Sequence, residues 1–389
     1  METRRLFYED CHLYSFTARV TGCEPVKGGY AVTLDATAFY PEGGGQACDT
    51  GALNEARVLD VSEQDGNIIH LCDRELPVGQ PVIGSIDQGR RFDLMQQHTG
   101  EHIVSGIVSR RYGWHNVGFH IGADGITIDF DGPISAEDLL SIEAEANAAV
   151  WQNYPVKCWT PSPEELPGIN YRSKKQLQWP VRVVEIPGVD CCACCGVHVA
   201  NTGEIGLIKL FSCVKFHQGV RIEMACGKRA LDALNAAFDQ NRQVSQAFSA
   251  KLYATGEAAR KMNQRLSAAE YRCSELERKI WDFVAEQYTG RGDVFHYDST
   301  LTPLAVRELA DRIARRCGGV AAVLGGSDHL NLCLIDPAGD LKELSQAVKD
   351  RLNGRGGGKS GIFQGTVGVT AQEVVQFFAD WYSSSSVPN

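Results

Sequence analysis

An α+β protein of several domains is predicted by three features of the 389-residue chain. The first ninety residues alternate apolar and polar positions in short runs broken by Gly and Pro, the pattern of short strands. Residues 92–112 switch to helical spacing, with Leu94, Ile103, Ile107 and Val108 on one apolar stripe. Residues 228–288 hold no proline and one glycine, Gly256, so the chain there favours long helices. The expected layout is an N-terminal small β-barrel over 1–90 and an α+β domain with a candidate metal site over 91–227. A long helical hairpin or coiled coil over 228–290 and a small C-terminal α/β domain over 291–389 complete it.

Within the first domain, strands are expected at Tyr30–Leu34 and Asn67–Leu71. After the 92–112 helix come a strand at Gly125–Phe130 and a helix from about Ser135 to Asn153. Ser135 and Asp138 there suit a helix start, a capping hydroxyl with an acid in the first turn. Further strands are expected at Val181–Ile186, Ile205–Phe211 and Val220–Cys226. The last domain should alternate helices Pro303–Cys317, Leu341–Leu352 and Ala371–Trp381 with strands Gly319–Leu324, Leu330–Ile335 and Val367–Val369. The terminal SSSSVPN should fray.

Composition narrows the function classes. With 43% hydrophobic and 22% charged residues the chain reads as globular. It has no run of 18 apolar residues, so no membrane partner is expected. The start METRRLFYEDCHLY lacks the apolar core of a secretion signal, and a cytosolic location follows. In a reducing compartment the 14 cysteines are not a disulfide framework. Five of them, Cys191, Cys192, Cys194, Cys195 and Cys213, gather close enough in sequence to suggest metal. The net charge of −10 opposes unspecific binding to a polyanion, so a nucleic-acid partner would need local basic patches. Arg172, Lys174 and Lys175 form one such patch, and Lys215, Arg221, Lys228 and Arg229 a second. Lys349, Arg351, Arg355 and Lys359 form a third.

Two ligand pairs carry the chemistry. In His98-Thr99-Gly100-Glu101-His102 the imidazoles stand four apart on one helix face, roughly 5–6 Å between Cβ atoms, close enough to share one ion. Cys194 and His198 supply a thiolate and a third imidazole on a glycine-containing turn. Three nitrogens and one sulfur form a donor set that zinc favours in tetrahedral sites. The alternatives are a structural cysteine knot at Cys191–Cys195 and a zinc peptidase or amidohydrolase. The latter would use H-x-x-E-H with Glu101 as acid/base, and it gives Cys194 and His198 no role. A third element, Phe39-Tyr40-Pro41-Glu42-Gly43-Gly44-Gly45-Gln46, lets backbone approach another surface closely or forms a plain hairpin connection.

FYPEGGGQ, then MQQHTGEHIVSG, then CCGVHVANTGEIGLIKL, in that order, resemble the editing domain of alanyl-tRNA synthetases and its free-standing relatives, the AlaX family. GVRIEMACG at Gly219–Gly227 is similar to the end of that domain. Arg355–Ser360 with Gln364 and Gly365 resembles the glycine-rich C-terminal domain shared with DHH phosphoesterases. The chain looks like the long form of AlaX. The resemblance implies hydrolysis of Ser-tRNA(Ala), with Gly-tRNA(Ala) as a second candidate and no charging activity. It implies zinc held by His98, His102, Cys194 and His198. Gly43, Gly44, Gly45 and Gln46 would shape the pocket near the terminal adenosine, and Thr37 would face the amino acid. His120 is a candidate for a polar role near the site, and Arg221, Arg355 and Lys359 for phosphate contacts. The helical stretch and the C-terminal domain are candidate homodimer contacts. The family's Cys-Gly-Gly-Thr-His is Cys194-Cys195-Gly196-Val197-His198 here, so Cys191, Cys192 and Cys195 compete with Cys194 for the ligand role. A non-catalytic RNA-binding protein with structural zinc is the reading from another class.

Overall fold

The computed structural model describes residues 2–122, 125–173 and 177–384. Lys174, Lys175 and the final five residues of the SSSSVPN tail lie outside them. The fold is α+β, with eight α-helices among the described residues. It divides into two compact units, Met1–Val244 and Ser245–Asn389.

In unit 1, after the short strand Arg4–Arg5 and helix Leu6–Glu9, six strands form a ring of antiparallel pairs. Ser15–Val26 pairs with Gly29–Leu34, then follow Asn67–Cys72, Ala56–Gln64, Gly51–Leu53 and Pro81–Ile86. The last pairs back with Ser15–Val26. Alternation explains the ring: Phe16, Ala18, Val20, Val32, Leu34, Ile68 and Val82 point inward into one buried cluster.

The helix Gln88–Tyr112 follows. It starts four residues before the expected position because Asp87 caps it, accepting from the Arg90 N–H at 3.0 Å. It stops at Gly113, whose φ of +72° is left-handed, as a C-terminal glycine cap requires. Residues 94–108 are buried, polar ones included, so this helix runs through the core rather than over it. A four-stranded antiparallel sheet lies against it, ordered Ile208–Phe216, Gly219–Cys226, Ile126–Phe130, Asn116–Ile121. The expected strand at Ile205–Phe211 is corrected to Ile208–Phe216, because Thr202–Ile205 forms a 3-10 turn first, closed by Asn201 and Glu204. Helix Ala136–Trp151 begins with Ser135 and Asp138 in a reciprocal capping box. A second sheet, Lys157–Trp159, Val183–Ile186 and Asp190–Ala193, carries the cysteine-rich segment to the core helix. Helix Gly227–Ala247 spans the boundary after Val244.

Unit 2 opens with helix Thr255–Glu286. Its five-stranded sheet is ordered Gly292–Asp298, Gly318–Gly325, Leu330–Ile335, Ile362–Val367, Arg355–Gly357, with only the first pair parallel. Apolar clusters fill both faces, one under helix Pro303–Cys317 and one under Lys342–Arg351 and Ala371–Ser384. Two expectations are corrected. The last long strand is Ile362–Val367, not Val367–Val369, and the glycine-rich stretch before it, where no strand was expected, contains the edge strand Arg355–Gly357. Glycines hide that edge strand from sequence patterning. A Cβ at Gly356 would lie 2.3 Å from the Gln364 carbonyl oxygen, so the two strands approach too closely for a side chain.

Candidate metal centre

The core helix turns His98 and His102 to one side, and the turn after Asp190–Ala193 brings Cys194 and His198 to meet them. The ligand atoms of these four residues all lie within 4.8 Å of one another. The His98 and His198 ring centroids are 4.6 Å apart, those of His102 and His198 4.7 Å. Cys194 Sγ is 3.4 Å from His98 Nε2. All three imidazoles are buried.

Each ring is held by a partner that decides its tautomer. His98 Nδ1 meets Gln46 Oε1 at 2.8 Å, an oxygen that also accepts from the Val197 N–H. His102 Nδ1 meets Asp190 Oδ2 at 3.0 Å. His198 Nδ1 meets Thr99 Oγ1 at 3.2 Å, and the Thr99 hydroxyl donates its own proton to the Met95 carbonyl. All three partners accept, so every Nδ1 carries the hydrogen and every Nε2 offers a lone pair inward. His198 Nε2 is buried with no hydrogen-bond partner among the described residues. Three converging imidazole nitrogens and a thiol, with the His198 nitrogen left without a partner, fit a metal ion, and the donor types are those of zinc. Asp190 is itself gripped by Arg172, at 2.7 and 2.9 Å.

The electrostatics agree. Burial opposes charge on Cys194, yet the neighbouring His98, His102 and His198 imidazoles outweigh it and hold its thiol well below the ordinary value, toward thiolate. Burial lowers His198 to about 3, so its imidazole stays neutral. Burial also disfavours the His102 imidazolium, but Asp190 and Cys194 outweigh it and raise that group. A metal ion would take over the role of that proton.

His98, His102 and Cys194 of the cluster line a cavity of about 620 Å³. Gly44 and Gly45 line it with Tyr8, Phe119, Arg172 and Arg182. Gly45 has φ +83°, and a Cβ there would lie 2.6 Å from the Phe119 ring. A Cβ at Gly196 would lie 2.2 Å from His98 Cε1, so glycine lets that ring close on the thiol. Of the expected site residues, His98, His102, Cys194, His198 and Gln46 come together, with Gly43–Gly45 beside them. Thr37 does not line the cavity; it is buried, bonded to His70 Nε2 at 2.8 Å and accepting from the Phe39 N–H. His120 is exposed on its strand, and Phe119 lines the cavity instead. Arg221 is paired with Asp129 and stacked on Phe216. Arg229 is paired with Asp93, and Lys228 with Asp232. Arg355 and Lys359 are exposed in unit 2. Cys213 stands apart from the cysteine group, its thiol against the Ile134 carbonyl. Cys192 joins a second group with His102 and Asp190. Composition and spacing gave no sign of Asp190, Thr99 or Arg182 as site residues. Thr99 lies inside the histidine motif, but its role depends on a ring 99 positions away.

Thr99→Val keeps the shape and removes the acceptor of His198. Metal affinity is expected to fall roughly 10- to 100-fold, the usual cost of losing a partner that orients a ligand. Competition with a chromophoric chelator measures it; unchanged affinity would mean that Thr99 does not orient the ring.

Comparison with known proteins follows the same lines. The family described as threonyl and alanyl tRNA synthetase second additional domain matches residues 181–267. Class II (A) tRNA synthetases match residues 7–90. An alanine–tRNA ligase of Thermofilum pendens is 33% identical over 95% of this chain, which spans only 42% of the ligase. The alanyl-tRNA editing protein AlaX-L of Pyrococcus horikoshii is 27% identical over 95% of this chain and 96% of its own length. The chain is similar along nearly its whole length to alanyl-tRNA editing proteins. Aarsd1-B of Xenopus laevis, another editing protein, is 28% identical over 93% of both chains. The editing-family match therefore extends through unit 2 as well as the metal centre. No helix among the described residues is long and apolar enough to cross a membrane.

Proposed function

We propose that this chain is a zinc-dependent hydrolase that removes serine, and secondarily glycine, from mischarged tRNA(Ala). The observation that carries the reading is the convergence of three imidazoles and the Cys194 thiol beside a cavity that His98, His102 and Cys194 line. That cavity is the size of a small-molecule site and suits an aminoacyl-adenosine end. His98, His102, Cys194 and His198 would hold the ion. When bound, zinc polarises an ester carbonyl or acidifies a water.

The chain's own groups do the rest. Gln46, Asp190 and Thr99 fix the imidazoles before substrate arrives, so little reorganisation is left for the reaction. Gly44 and Gly45 keep the wall open to a flat ring. Arg182, which donates to the carbonyl oxygens of Cys194 and Gly196, stiffens the ligand turn. Arg221, Arg355 and Lys359 are assigned to phosphates of the tRNA body, and helix Thr255–Glu286 to self-association.

The test is release of amino acid from Ser-, Gly- and Ala-tRNA(Ala), with and without chelator. Serine should be released, alanine spared, and the chelator should stop release. Cleavage of peptides with no action on aminoacyl-tRNA would replace this reading with the peptidase one.

Thr37 is the next residue to test. His70 donates from Nδ1 to the Val32 carbonyl at 3.1 Å, so its Nε2 must accept the Thr37 proton. Thr37→Val strands that nitrogen. A stability loss of about 1–3 kcal/mol is expected, with the preference for serine over alanine unchanged. A lost preference at full stability would instead return Thr37 to the amino-acid pocket.

A further inference from the structure

Glu101 is the one carboxylate among the described residues that line the cavity. Three guanidiniums share that lining, and each is already engaged. Arg5 pairs with Glu63, Arg172 with Asp190, and Arg182 with two carbonyls. Glu101 is only half engaged. Its Oε1 accepts from the Ser105 hydroxyl and the Asn116 amide, which fixes the side chain's direction. Its Oε2 has no donor within hydrogen-bond distance among the described residues and lies 4.0 Å from His102 Nε2, one of the converging nitrogens. The residue is 5% exposed, so the free oxygen stands in a largely water-excluded wall.

An aminoacyl ester carries one cation of its own, the α-ammonium. That nitrogen is two bonds from the ester carbonyl carbon. A group that binds it must therefore sit beside whatever binds the carbonyl. A cation leaving water needs an anion with a fixed lone pair. Glu101 stands three residues along the helix from His98 and one from His102, which places it beside the metal cluster on the substrate side.

Resting on the deacylase reading above, we propose that Glu101 binds the α-ammonium of the aminoacyl group and so restricts the site to α-amino esters. The side-chain hydroxyl of serine then has to be read by other groups, and the ammonium fixes which way the Cα substituents point. Esters whose nitrogen is acylated or replaced by oxygen are rejected at this contact.

The experiment compares tRNA(Ala) carrying serine with tRNA(Ala) carrying glyceric acid, the analogue with a hydroxyl in place of the amine. Rates are divided by the spontaneous hydrolysis rate of each ester. The wild-type chain should prefer the seryl ester on the order of 10- to 100-fold, the range for a hydrogen bond to a charged group. Glu101→Gln leaves an amide oxygen to accept from Ser105 and Asn116. It should erase most of that preference by slowing the seryl ester alone. Bound metal and melting temperature, measured on the same preparation, report whether the fold survives. No wild-type preference overturns the assignment without any variant. Equal slowing of both esters by Glu101→Gln overturns it too, since the carboxylate would then act on water or on the fold. A wild-type chain inert toward both esters would fail the deacylase reading itself.

Discussion

Cys194→Ser is expected to lower deacylation of Ser-tRNA(Ala) by roughly a thousandfold or more, about 4 kcal/mol of lost transition-state stabilisation. The reason is the donor set. The thiol is held toward thiolate by three surrounding imidazoles, and a serine hydroxyl in its place stays protonated and ligates zinc poorly. The ion should leave with the activity, so atomic absorption on the purified variant and amino-acid release should fall together. Cys191→Ser is the matched control. Cys191 sits on its strand opposite Glu185 and does not line the cavity, so both readouts should stay near wild type. Full activity of Cys194→Ser without bound metal would end the metal-centred mechanism.

The second large effect is on stability. Asp49 and Arg91 are both fully buried and joined by several hydrogen bonds, two of them at 2.9 and 3.0 Å. Asp49 also accepts from the Tyr40 N–H. Asp49→Ala leaves a guanidinium in the core with no counter-charge. A loss of about 3–5 kcal/mol in unfolding free energy is expected, the cost of breaking a buried pair from one side. That is a large part of the total for a domain. Urea unfolding followed by tryptophan emission measures it, since Trp114, Trp151, Trp159 and Trp179 all lie in unit 1. Removing both charges, as Asp49→Ala with Arg91→Met, should recover part of the loss. A single-variant cost below about 1 kcal/mol would mean that water reaches the guanidinium.

How much of this was legible in the sequence depends on how far apart the partners are. His98 and His102 are readable because the helical repeat alone makes them neighbours, and Cys194 and His198 because their spacing suits one turn. That the two pairs share a point was read from the donor set that zinc favours, and the ordered motifs of the family resemblance implied the same. Asp190, Thr99 and Gln46 were not readable as the holders of the three rings. Each is chosen by a contact 52 to 99 positions away in the chain, and local pattern says nothing about such pairings. Gln46 was expected at the adenosine pocket and is found fixing His98. The Gly356 edge strand was missed for the opposite reason, since glycine removes the side-chain alternation by which strands are recognised.

The eight residues from Phe39 to Gln46, with Asp49 just beyond, are fastened to the core helix twice. Asp49 grips Arg91, and Gln46 grips His98 seven residues on, about 10 Å along the axis. Two rivets at that spacing prevent the connection from swinging about either one. The strand ring therefore serves as half of the mould that shapes the reactive pocket. A polypeptide trimmed to start after residue 90 would keep all four candidate ligands and lose the brace on one of them, so the catalytic half cannot be lifted out of this architecture and expected to work alone.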